Sequence, residues 1–273
     1  MSDQPIGYIL MENDTTFRDI SDLKVFNDNH LFYVRFVSTL QSLNRFNRNN
    51  KFYTSDAIVQ SLSTEEINEL IANNKFKGEA GHPIGEKIER IAVVDPKLTC
   101  HRIVKWWVEN DLIRGIVETL DDGMYGTKLT KAILQNENPS FSYRGLAMLQ
   151  KKGTKAYIRT PPRTIAYDEV NLPSHKEAYG DPKKTKIAQS YSGTVSASME
   201  SVDMSREITG SEIADLFQRK SETLQIVCES FGIDPSNVSL VGNKIALRNG
   251  DERYMLNMEA NLAKEVAYYW GTV

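Results

Sequence analysis

The sequence predicts an α+β fold: a β-barrel of about six or seven strands surrounded by helices, then a flexible linker and a small C-terminal α+β module. Three observations predict it. Between Leu31 and Val170, short runs of β-branched and aromatic residues recur between turn signals, with a few helical stretches among them. Residues 174 to 203 turn to Gly, Ser, Lys, Thr and Pro with few large apolar side chains, as linkers do. From Ser211 apolar periodicity returns. The expected boundaries are therefore 1–173, 174–204 and 205–273.

Leu31 to Leu40 (LFYVRFVSTL) reads as a strand, and Leu43–Lys51 as an Asn/Arg loop. Ser55 is placed to cap a short helix through Ala57–Leu62. Ser63-Thr64-Glu65-Glu66 has the form of a capping box opening a helix through Ile67, Leu70 and Ile71, which ends at Asn73–Asn74. Two glycines and a proline make Phe76 to Pro83 a constrained loop that contains His82. Ile88 to Val94 alternates weakly and reads as a strand. Cys100–Glu109 and Leu112–Thr119 pair as a hairpin about Asn110-Asp111. Tyr125 to Leu134 has helical spacing, and Pro139 stops that helix. An extended segment starts at Ser140. Ala156–Arg159 and Ile165–Val170 are strands separated by Pro161-Pro162. In the last module a long helical pattern runs from Ile213 to Val227, with Gly232 to end it. Val238–Leu247 and Arg253–Met258 then pair around Asn249-Gly250, and Leu262–Trp270 is helical.

Composition narrows the function. Hydrophobic residues make up 40% and the net charge is −3, so the chain can bury a core but offers no electrostatic case for nucleic acid. Cys100 and Cys228 form no CxxC pair, and His30, His82, His101 and His175 form no helical metal pair, so neither zinc site nor other cofactor is expected. No apolar run reaches membrane-spanning length, and the first residues lack the form of a signal peptide.

On a strand from Ser140, the side chains of Ser140, Ser142 and Arg144 share one face. Such a row is either the polar outer face of an edge strand or a nucleophile beside a cation that steadies an oxyanion. A serine nucleophile needs a base, and histidine suits neutral pH. His82 on its Gly/Pro loop is the candidate, with a solvated turn histidine as the plain alternative. Asp168, Glu169 and His101 are candidates for the group that orients the imidazole.

The motifs Gly78-Glu79-Ala80-Gly81-His82-Pro83 and Phe141-Ser142-Tyr143-Arg144-Gly145 together resemble those of the prohead maturation proteases of tailed bacteriophages, in the branch found in large myophages. Cys100-His101-Arg102-Ile103 with Trp106 and Trp107, and Tyr167-Asp168-Glu169-Val170 with Pro173-Ser174, follow in the family's order. Cysteine stands at position 100 where the family usually has serine. The resemblance covers about Leu31 to Ala178. It implies a serine protease domain similar in fold to the herpesvirus assembly proteases, with His82 as base and Ser142 as nucleophile. Asp168 is the preferred third member and His101 the alternative, while Arg144 is assigned to oxyanion stabilisation and Ser140 is the alternative nucleophile. The implied substrates are scaffold or core proteins and the major capsid protein, cut inside the prohead in the host cytoplasm. A homo-oligomer is compatible with the chain. Self-cleavage is expected at Glu200–Ser201, and the rival expectation is an inactive capsid-assembly protein on the same barrel.

Overall fold

The computed structural model describes residues 5–12, 21–28, 31–47, 49–83, 87–121, 123–137, 139–158, 160–170, 206–230, 232–242, 244–249 and 252–257. The strands are β1 Pro5–Glu12, β2 Ser21–Asp28, β3 Leu31–Ser42, β4 Lys51–Tyr53, β5 Lys77–Glu79, β6 Thr99–Glu109, β7 Leu112–Thr119, β8 Ser140–Lys152, β9 Lys155–Ile158 and β10 Arg163–Val170. Among them lie helices α1 Ser55–Leu62, α2 Glu65–Ala72, α3 Ile88–Ile91 and α4 Met124–Leu134. The C-terminal part holds β11 Arg206–Glu207, α5 Gly210–Gln218, α6 Thr223–Ser230, β12 Val238–Val241, β13 Lys244–Asn249 and β14 Glu252–Asn257. The mixed α+β class follows directly.

One sheet runs β2-β3-β7-β6-β5 with antiparallel neighbours. The other is built on β8, which pairs with β10 from Ser140 to Leu146 and with β1 from Tyr143 to Gln150. The two sheets meet at a parallel bridge between Ala80 and Glu169. Strand pairing does not close a ring among the described residues. Eight strands, β3 to β10, span Leu31 to Val170, against the six or seven expected. The additional short ones, β4 and β5, are three residues each, too brief for an alternation to register.

Several local expectations are corrected. Ile88–Val94 is the short helix α3 and its C-terminal turn, because Ile88 and Ile91 are spaced to share one helical face and both are buried. Thr54, not Ser55, caps α1, and Thr64, not Ser63, caps α2. Each threonine is extended and its hydroxyl accepts an amide three residues on. The long helical pattern after Ser211 is two helices, since Lys220 takes a left-handed conformation between them. Val238–Leu247 is likewise two strands, β12 and β13, that turn at Gly242. The linker and Leu262–Trp270 lie outside the described residues.

Strand β8 divides two cores. Phe141, Tyr143, Ala147 and Leu149 face a core shared with Phe36, Ile103, Val117 and Tyr167. The opposite face carries Ser142 and Arg144 at one end and Leu146 and Met148 at the other. Leu146 joins a second core with Ile88 and Ile91 of α3 and with Ile213, Leu216, Val227 and Ile245 of the C-terminal part. Burying each such side chain stabilises by roughly 1.5–3 kcal/mol. The C-terminal elements are thus packed onto the same strand face that presents Ser142.

Candidate active site

Four residues of the Gly78–His82 segment have separable jobs. A Cβ on Gly78 would lie 2.0 Å from the Tyr167 carbonyl oxygen and 2.4 Å from the His101 ring, so only glycine lets β5 lie this close to β10. The Glu79 amide then donates to Asp168 Oδ1 at 3.0 Å. Gly81, at φ +92°, turns the chain and donates its amide to the Glu169 carbonyl at 2.7 Å. The next side chain, His82, is thereby delivered over β10 and β8.

There it meets two of the residues expected from sequence. Asp168 and Ser142 are directly opposed in the β8–β10 ladder. His82 Nδ1 lies 2.7 Å from Asp168 Oδ2, and its Nε2 is hydrogen-bonded to Ser142 Oγ. An ionised carboxylate only accepts, so Nδ1 carries the proton and Nε2 is free to accept from the Ser142 hydroxyl. Burial favours the neutral acid at Asp168. The His82 hydrogen bond, the Arg144 charge and the Glu79 amide outweigh it and hold the carboxyl below its usual range. Ser142, Asp168 and the His82 side chain have no exposed surface.

The other candidates are placed differently. Ser140 is buried opposite Val170, and its hydroxyl has no hydrogen-bond partner among the described residues. His101 lies on β6 with its ring edge-on to Phe141 at 4.9 Å and its Nδ1 3.2 Å from Cys100 Sγ. Burial pushes its pKa down to about 4, against the pull of Asp168 and the Tyr167 backbone, so it is neutral at physiological pH. The Arg144 guanidinium is fully buried and turned to acids. It donates to Glu79 Oε1 at 2.9 Å and to Asp168 Oδ1 at 3.2 Å. Its Nε is 2.9 Å from Asp168 Oδ2, close enough for ionic attraction but without hydrogen-bond geometry. Tyr143 and Arg144 are flanked by β10 and β1, so their amides face ladder partners.

Glu79 and Arg90 complete the cluster and were not singled out by sequence. Arg90 grips Glu79 with both terminal nitrogens, and Asp95 donates its amide to Glu79 Oε1 at 2.8 Å. The available signal was Glu79 itself, a charged residue between a close-packed glycine and His82.

The model of the Peptidase S80 family matches residues 33–232. The chain belongs to this family. The match bears out the resemblance to the phage prohead proteases, and it extends beyond the matched motifs into the C-terminal helices of the peptidase. No curated protein matches the chain. Among solved structures, the bacteriophage T4 capsid assembly protease, gp21, is similar at 19% identity over 62% of this chain and 98% of that one, with a TM-score of 0.48.

Proposed function

We propose that this peptidase is a serine endopeptidase of phage head maturation, with Ser142 as nucleophile, His82 as base and Asp168 as the orienting acid. The observation that supports it is the continuous hydrogen-bonded row from Asp168 through His82 to Ser142. Ser142 Oγ attacks a peptide carbonyl carbon as its proton passes to His82 Nε2. The imidazolium then gives that proton to the leaving amine as the C–N bond breaks, and water hydrolyses the acyl-enzyme by the reverse transfers. Asp168 stabilises the imidazolium. Arg144 holds Asp168 in place, a role its contacts support better than the oxyanion role expected from sequence.

The substrates in this reading are scaffold or core proteins and the major capsid protein, cut within the prohead inside the host cell. The peptidase also cuts itself at Glu200–Ser201, between a protease domain of residues 1–173 and the C-terminal part. The Ala80–Glu169 bridge and the stacking of Phe36 on Phe141 at 6.4 Å support reading the two sheets as a barrel not fully zipped.

Complete burial of Ser142 favours the rival reading, an inactive assembly protein, unless the site opens for substrate. Incubation of wild type and Ser142→Ala with scaffold and capsid proteins separates the two. Serine-dependent cleavage, with a self-fragment ending at Glu200 by intact mass, is the expected result. Equal cleavage by both proteins, or by neither, refutes the proposal.

A further inference from the structure

We propose that Glu79 is a positioning residue of this peptidase: by holding Arg144 between two acids it keeps Asp168 aimed at His82. The inference rests on the Ser142–His82–Asp168 reading. Arg90, Glu79, Arg144 and Asp168 form a row of alternating charge that ends at the imidazole. Glu79, Arg144 and Asp168 have no exposed side-chain surface, so each charge depends on its neighbours rather than on water.

Glu79 holds both Arg144 and Asp168, and Arg144 Nη2 donates to both acids. The Glu79 carboxylate takes one guanidinium nitrogen, while its own amide and Arg144 together occupy Asp168 Oδ1. Asp168 Oδ2 then takes its hydrogen bond from His82 Nδ1, with Arg144 Nε 2.9 Å away but not hydrogen-bonded to it. The Ile91 and Val93 carbonyls, at 3.4 and 3.2 Å from Arg144 Nη1, fix the guanidinium from the end of α3. Without the Glu79 charge, Arg144 would face Asp168 alone and compete with the imidazolium for the same carboxylate.

A purely structural role and a positioning role differ in the pH profile. His82 bonds Asp168 on β10 and Ser142 on β8. Glu169 takes the Gly81 amide, and Arg144 contacts Asp168. His101 on β6 feels the Asp168 charge with Cys100 beside it, and Arg90 of α3 lies behind Glu79. Glu169 is set aside by working in a Glu169→Gln background. Glu79→Gln removes a negative charge and makes the imidazolium less favourable. The acid limb of kcat/KM then moves to lower pH by about one unit, the order expected for a buried charge at moderate effective dielectric. In the same variant kcat falls by roughly 10- to 100-fold. Glu79→Asp restores the limb. Arg90→Gln removes the outer positive charge and moves the limb upward, by less because Arg90 is partly exposed.

Fluorophosphonate acylation of Ser142 is measured alongside. A parent protein that is not acylated there overturns the triad reading and this proposal with it. A parent that is acylated, with acid limbs in Glu79→Gln and Arg90→Gln that coincide with its own, overturns the Glu79 role alone. Should Glu79→Gln not fold, the upward shift in Arg90→Gln decides the matter.

Discussion

Replacing Arg144 by methionine keeps much of its length and removes its charge. The guanidinium has no exposure and lies 2.9 Å from each of two carboxylates that are themselves wholly buried. Removing one partner of a buried ion pair costs about 3–5 kcal/mol. Arg90 still neutralises Glu79, so the loss falls mainly on Asp168. In the wild type the depressed Asp168 pKa contributes stability above its unfolded value near 4, which is lost as pH falls through the folded value. Arg144→Met forfeits that contribution. Its deficit in urea unfolding is therefore full at pH 7 and at pH 8, at about 3–5 kcal/mol, and shrinks only as pH falls below about 4. Peptidase activity falls by roughly 10³-fold or more, the scale of losing an orienting acid. A variant within ~0.5 kcal/mol of wild type at both pH values, with undiminished activity, would refute the reasoning.

Two further outcomes are expected. Gly78→Ala forces a methyl group to within 2.0 Å of the Tyr167 carbonyl. It should lower stability by about 2 kcal/mol or more and reduce kcat, since β5 carries the Glu79 amide away from Asp168; thermal unfolding and an activity assay that both match wild type would contradict the close approach. Glu169 has its pKa pushed up to about 7 by burial and by Glu137, so its folded form retains a proton that the unfolded chain loses. Wild-type stability should decline between pH 4.5 and 7, by at most ~3 kcal/mol because the side chain is partly exposed. Glu169→Gln should flatten that decline in calorimetry at pH 5 and 8, and an unchanged slope would exclude Glu169 as its source.

The residues at the end of the proposed catalytic row were legible because each carries a local signature. His82 sits on a loop that glycine and proline constrain, and Ser142 and Arg144 share a strand face. Asp168 follows a clear β-branched and aromatic strand. The supporting row was not legible for the opposite reason. Arg90 reaches Glu79 only because Ile88–Ile91 is helical, and that segment reads as a strand when its alternation is weighed without the second core that buries Ile88 and Ile91. Arg144 illustrates the same limit. Its strand face is set by alternation, but whether it points to an oxyanion or to Asp168 depends on β5, a strand of three residues placed by the Gly78 contact. The N-terminal strand β1 carries no such local signature, since it gains its place through pairing with β8, far along the chain.

Mapping a fluorophosphonate adduct by peptide mass spectrometry tests the central claim most directly. Modification of Ser142 in the wild type, lost in His82→Ala while Ser140 stays unmodified in both, is the predicted result. An adduct on Ser140, or one on Ser142 that forms equally well without His82, would contradict the account.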